Sequence, residues 1–283
     1  MKQGDEGTTV SRRELAVSLR RAREQAGRSA AETAGHLDCP PGRVERIEAG
    51  LAVVRLAEVR SVLDFYRVSG SQRDELLRAA RQVRDRAWWH RYNDLIDESF
   101  ETMLILESDA ASLRTYQPNL VPGLLQTERY AWELICTRAD MPLDTVHRQA
   151  SLRSQRRQVL DRNDPPRLAV LLEEAVLRRP VGASAVMREQ YGHLAQLAEA
   201  PGVSIQILPF AAGPHRAMGS GFHIYEFAER ACPVVELELL DRLHFVAESR
   251  EAEHYTIAFA QAAARALDVE QSRALLTGLA EER

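Results

Sequence analysis

Histidine, serine and carboxylate side chains gather in the last third of this 283-residue chain, where catalysis or metal binding would be sought first. His215 and His223 flank the triplet Gly219-Ser220-Gly221, with Glu226 and Glu236 downstream. Two histidines and a carboxylate can hold a divalent metal, but zinc sites keep their ligands at characteristic short spacings, and this separation matches none of them. The Gly-Ser-Gly triplet is too short for the GxSxG elbow that lifts a nucleophilic serine onto a sharp turn, and it reads as a turn before a strand at Phe222. HExxH, P-loop and GxGxxG signatures are missing. Cys39, Cys136 and Cys232 are far apart and odd in number, so they imply no disulfide framework or ligand pair. The expectation is a non-enzyme with no catalytic residues, no metal site and no cofactor. One histidine tips a loop and the other sits on a strand.

Rings and guanidinium groups offer binding chemistry instead. Trp88, Trp89, His90 and Tyr92 fall within five residues of one another. They suit a lid or cation–π site for a ligand, or they bury a junction between domains as bulky core. Residues 146–160 read as a basic helix, with Arg148, Arg153, Arg156, Arg157 and Arg162 in or beside it. Three readings stand for that helix: added phosphate contacts, a seat for an acidic ligand or partner, or a solvated face with internal ion pairs. The irregular segments richest in aromatics, Pro, Gly and His are taken as the ligand- or partner-binding surface, because binding residues concentrate on loops held by a scaffold. Its members are Trp88, Trp89, His90, Tyr92, Gln126, Tyr130, His215 and His223.

The elements that would position such chemistry begin at the N-terminal end. Leu15, Leu19, Ala22 and Ala26 repeat at helical spacing, and Gly27 stops that helix. Ser29 and Glu32 form a capping box, and the slim helix behind it carries Ala30, Ala31 and Ala34. Asp38-Cys39 makes a turn, Pro41 takes a first helical position that tolerates a missing N–H, and Val44 and Ile47 face the core before Gly50. Leu56, Val59, Leu63 and Tyr66 form another apolar stripe, and Ser71 with Asp74 resembles a further capping box. This predicts an all-α domain of five helices over residues 1–80, whose second and third form a helix-turn-helix. That motif places its second helix in the DNA major groove. A compact helical bundle without DNA function would share the same pattern.

The segment Arg43–Gly50 (RVERIEAG) resembles the recognition-helix end of the Xre-type, lambda-repressor-like helix-turn-helix domains, with Arg46-Ile47-Glu48-Ala49-Gly50 carrying the likeness. The resemblance implies that Pro41, Gly42, Arg43 and Arg46 lie where such domains read bases or grip phosphate. Arg46 would then reach guanine O6 and N7. Pro41 and Gly42 depart from the pattern by offering no side-chain donor, which shifts the work to Arg20, Arg21, Arg23 and Arg28 as backbone contacts.

Composition sets the outer limits. Length favours two domains, and no run of apolar residues is long enough for a membrane span or fits a signal peptide. A reducing cytoplasm fits the cysteine usage. Lys2 is the one lysine, and the other 36 basic residues are arginines. Residues 1–80 carry net charge +2 and the remainder −6, a mildly basic head on an acidic body.

Residues 81–110 read as a helical connector, with a helix over 100–111. Residues 111–283 alternate between strand and helix patterns. Strands are expected at 111–116, 167–172 and 203–208, and an antiparallel meander at 222–227, 234–239 and 243–246. Helices are expected from Thr127 and over 146–160, 184–199, 248–266 and 269–279. The overall class is α+β: a five-helix head followed by a mixed α/β body with an antiparallel sheet. Segments 105–110 (ILESDA), 114–126 (RTYQPNLVPGLLQ), 157–160 (RQVL), 172–182 (LEEAVLRRPVG) and 207–215 are similar to the uncharacterised C-terminal domain found behind Xre-type heads in actinobacterial regulators, often described as antitoxin-like. The likeness runs over residues 12–280. Arg157 and Gln158 would anchor the loop 118–126.

Together these readings describe a cytoplasmic transcriptional regulator that binds double-stranded DNA as a homodimer, since paired half-sites raise affinity and fix register. Its C-terminal domain, 111–283, would respond to a small-molecule effector or a small partner protein and supply the dimer surface. The competing reading is an antitoxin-like interaction module that mainly sequesters a small partner protein and binds DNA weakly.

Overall fold

The computed structural model describes residues 4–40, 42–52, 54–86, 88–137, 141–228, 230–240 and 242–282. The chain divides into two compact units, Met1–Asp109 and Ala110–Arg283.

The first unit is helical: α1 (Gly4–Gln25), α2 (Ala30–His36), α3 (Arg43–Glu48), α4 (Leu56–Phe65), α5 (Gly70–Arg86), a 3-10 turn at Trp88–Tyr92, and α6 (Glu98–Asp109). The stripes read from spacing meet in one core of Leu15, Leu19, Ala22, Ile47, Val59, Leu63, Tyr66, Leu76 and Val83. Each fully buried aliphatic side chain of this kind contributes roughly 1.5–3 kcal/mol. Tyr66 closes the end of α4 rather than extending it. Helix α5 starts at Gly70, so Ser71 lies inside its first turn and does not cap it. Buried Arg12 ties three elements of this unit: Nε donates to the Gly50 carbonyl at 3.2 Å, and Nη2 meets Asp109 Oδ1 at 2.5 Å.

The second unit is built on one six-stranded sheet of order β3-β2-β1-β4-β5-β6. Its strands are β1 (Ser112–Gln117), β2 (Arg167–Glu173), β3 (Val203–Leu208), β4 (Phe222–Phe227), β5 (Arg230–Glu238) and β6 (Leu243–Val246). The expected meander is β4-β5-β6, and it is half of a larger mixed sheet: β1 runs parallel to β2 and β2 to β3, while β4 joins β1 antiparallel. Helices fill the crossovers, with α7 (Glu128–Cys136) and α8 (Leu143–Arg156) between β1 and β2, and α9 (Glu174–Arg178) and α10 (Ser184–Leu197) between β2 and β3. Parallel neighbours need such long connections. Helices α11 (Ser249–Ala263) and α12 (Val269–Glu281) end the chain. The C-terminal ends of β1, β2 and β3 therefore lie along one edge, beside the start of β4. In open sheets that edge is where ligand sites form. No helix among the described residues is long and apolar enough to cross a membrane.

Candidate functional site

The helix-turn-helix is held by local hydrogen bonds that its sequence announces. Ser29 Oγ accepts from the Glu32 amide at 3.1 Å, and the Glu32 carboxylate accepts from the Ser29 amide at 2.8 Å. The bonds that this carboxylate accepts from the Ser29 amide and, at 2.9 Å, from the Ser29 hydroxyl hold its pKa below the ordinary value. Between α2 and α3 the chain turns through Asp38 (φ 50°) and Gly42 (φ 76°). Gly42 is the N-cap of α3, and a left-handed φ there favours a residue without Cβ. Tyr66 donates to Thr33 Oγ1 at 3.1 Å, which fastens α2 to the end of α4. Arg23 of α1 grips Glu48 of α3 with two bonds, at 2.6 and 2.8 Å.

The expected DNA-facing residues separate into distinct surroundings. Arg20 is exposed and bonds Glu24 one turn on at 2.9 Å, and Arg21 is exposed. Arg28 is half-exposed, pairs with Glu32 at 3.3 Å and stacks over Phe65 at 4.5 Å. Pro41 lies outside the described residues, and because α3 starts at Arg43 behind Gly42, the first helical position is not a proline. Arg43, expected to read bases or phosphate, is enclosed instead, with its side chain 7% exposed. Nη2 donates to Glu58 Oε1 at 2.8 Å, and Nη1 lies 2.6 Å from Glu98 Oε1. A guanidinium so neutralised and covered presents no fork to DNA; it locks α3 to its neighbours. Arg46 is half-exposed, and its Nη2 donates to the same Glu98 oxygen at 3.0 Å. Burial works against the Glu98 carboxylate, but the bonds from Arg43 and Arg46 outweigh it and hold its pKa below the ordinary value.

Trp88, Trp89, His90 and Tyr92 fall in the first unit. Trp89 is 1% exposed, with its ring edge-on to Trp88 and Nε1 donating to Glu101 at 3.4 Å. Tyr92 is buried and His90 exposed. Trp89 and Tyr92 are thus core side chains.

In the second unit the strand ends gather a polar cluster. Tyr116 donates to Glu173 Oε1 at 2.8 Å, and His215 Nε2 lies 2.7 Å from the same oxygen. His215 Nδ1 is buried and has no hydrogen-bond partner among the described residues. His223 sits across β1 from Thr115: its Nδ1 bonds Thr115 Oγ1 at 2.9 Å, and its Nε2 lies 3.2 Å from Gln117 Nε2. Burial and the nearby Arg156 cation push the His223 pKa down to about 3, so the ring is neutral. Successive strand residues face opposite sides, so His215, at Tyr116, and His223, at Thr115, are separated by the sheet and cannot share a metal. The carboxylates weighed beside them are engaged elsewhere: Glu226 pairs with Arg114 at 2.5 Å, and buried Glu236 accepts from Tyr225 at 2.6 Å. Among the described residues no group of three His, Cys, Asp or Glu side chains could hold a metal ion.

Gln126 and Tyr130 hold the loop that follows β1. Gln126 donates to the Val121 carbonyl at 2.7 Å and accepts from Arg153 at 2.9 Å, and Arg157 reaches its backbone carbonyl at 3.4 Å. Tyr130 OH accepts from the Val121 amide at 3.3 Å. Gln190 bridges the end of the loop, accepting from the Thr127 amide at 2.8 Å and donating to the Leu125 carbonyl at 2.7 Å. A Cβ on Gly123 would stand 2.9 Å from Arg156 Nη1, so any larger residue there would have to displace that guanidinium. Sequence reading missed Glu58, Glu98, Glu173 and Gln190. Each acts on a partner far along the chain, and no spacing signal links them.

A family model described as a helix-turn-helix domain matches residues 14–76, and one described as "Domain of unknown function (DUF5753)" matches residues 100–278. No curated protein and no solved structure matches the chain.

Proposed function

This chain belongs to the DUF5753 family, with a helix-turn-helix domain ahead of that segment, and from this premise we propose a DNA-binding transcriptional regulator of the Xre type that works as a cytoplasmic dimer and whose C-terminal unit responds to a small molecule or small partner protein. The helix-turn-helix domain marks a DNA-binding regulator. The observation that carries the reading is the capped α2, the left-handed turn at Gly42 and the short α3, with the exposed cations Arg20 and Arg21 and the half-exposed Arg28 along the same domain. Exposed arginines supply the sequence-independent attraction to phosphate, and α3 supplies the element for the major groove. One short helix makes a small footprint, so two copies on paired half-sites provide affinity and register. Selection of duplexes from a random pool by the purified full chain tests this. Enrichment of paired half-sites about one helical turn apart supports it, and a selected pool no different from its input overturns it.

One observation favours a second reading, an antitoxin-like module that mainly sequesters a small protein: the two arginines of α3 already hold a carboxylate. Co-purification of a stoichiometric small protein from the native host, together with gel shifts that show no preferred duplex, would establish that reading instead.

A further inference from the structure

Helix α3 carries two basic residues, Arg43 and Arg46, and a single oxygen, Glu98 Oε1, meets both. We propose that Glu98 is an acidic latch on the DNA-reading helix, holding Arg46 away from DNA until the first turn of α6 moves. This rests on the DNA-binding reading above and adds a regulator to the same surface.

The latch is a built feature. Glu98 is the first residue of α6, and the residues around it are bonded: Asp97 Oδ1 accepts from the Phe100 amide at 2.8 Å and from Ser99 Oγ at 2.7 Å, while Thr102 Oγ1 donates to the Glu98 carbonyl at 2.8 Å. Arg43, buried and shared with Glu58, forms the fixed side of the arrangement. Arg46 forms the releasable side, since both it and Glu98 are about two-fifths exposed. Exposed ion pairs are weak enough for a competing anion to break. The atom engaged matters too. A guanidinium reads guanine with two parallel N–H donors, and Nη2, which bonds Glu98, contributes one N–H to each of the two forks that arginine can present, so this bond takes one fork away. Helix α6 runs from Glu98 into the DUF5753 segment, which begins at residue 100. A change that shifts its first turn would therefore withdraw the carboxylate and return one cation to the reading face.

The test uses the full chain and a fluorescein-labelled mixed-sequence duplex about three helical turns long, with anisotropy read at about 50 and 200 mM salt. Glu98→Gln should bind about tenfold tighter than the parent, with a salt slope steeper by about one, as expected for one recovered phosphate contact. Glu98→Ala, which removes the side chain altogether, should tighten binding likewise. Glu101→Gln is the control, because that carboxylate lies in the same helical turn but is bonded to Trp89; its affinity should stay with the parent. The gain should vanish in Arg46→Ala/Glu98→Gln. Parent-like affinity and slope in both Glu98 variants overturn the latch, as does a gain that survives the loss of Arg46. Should parent and variants all fold by circular dichroism and bind no duplex, the DNA-binding reading itself falls, and the latch with it.

Discussion

Around α3, arginines and carboxylates meet at the rim of the first unit, where Arg46 and Glu98 are each about two-fifths exposed. At the strand ends of the second unit and in the loop after β1, polar groups are enclosed instead: Gln190 is fully buried, His223 is held neutral, and His215 keeps a ring nitrogen buried without a partner among the described residues. Water screens the first set and is excluded from the second. A bond broken at the rim is replaced by water at little cost, whereas a buried donor or acceptor left alone costs about 1–3 kcal/mol. The first region is therefore arranged to exchange partners, and the second to keep them.

Among single substitutions at neutral pH, breaking the enclosed network should have the largest effect. Gln190→Leu keeps the volume but strands the Thr127 amide and the Leu125 carbonyl. We expect a loss of about 3 kcal/mol in urea unfolding, and a loss below 1 kcal/mol would show that the loop re-forms its bonds elsewhere.

Acid should open the same region through His223. Its folded pKa of about 3 lies below the ordinary histidine value, so the unfolded chain binds the proton first. Stability is full above about pH 6.5 and falls as pH drops toward 3, by up to roughly 1.4 kcal/mol per pH unit. His223→Gln should flatten that part of the profile. An unchanged acid profile in this variant would assign the titration to another group.

Arg23 and Glu48 lie between the two regimes, with side chains 13% and 8% exposed. Arg23→Ala leaves the largely enclosed Glu48 carboxylate uncompensated, at a cost of about 2 kcal/mol. Equal stability of the variant and the parent would place this pair with the surface pairs.

The smallest loss of stability is expected where only the cap goes. Ser29→Ala removes the acceptor for the Glu32 amide at an exposed helix start, costing about 1 kcal/mol in thermal unfolding. A loss above about 3 kcal/mol would mean that α2 is held by its cap rather than by packing.

How far each region was legible follows from the range of its interactions. The capping box at Ser29 and Glu32, the turn at Asp38 and the apolar positions Leu15, Leu19, Val59 and Leu63 all signal through neighbours one turn away, and each lies where spacing placed it. Strands β1, β2, β3, β4 and β6 begin and end within about a residue of their patterns, because alternation of side chains is local too. The parallel pairing of β1 with β2 was not legible, since a long crossover carrying α7 and α8 separates the partners and alternation carries no pairing direction. The site residues divide in the same way. Arg157, expected to anchor the loop after β1, reaches the Gln126 carbonyl. Arg43 could be placed on α3, but its enclosure by Glu58 and Glu98 could not be foreseen, because charge along a helix says nothing of what packs across it.

By itself, then, the sequence determined where helices and strands begin, which faces are apolar, that a helix-turn-helix stands before a mixed α and β segment, and which side chains carry charge. Tertiary structure alone decided that Glu98 meets Arg43 and Arg46, that the sheet separates His215 from His223, and that Gln190 closes the loop after β1. Local order follows from backbone geometry and repeats over a few residues, so a linear pattern records it. The partner of a buried or bridging polar group is set by which elements the whole core brings within about 3 Å, and no linear spacing encodes that distance.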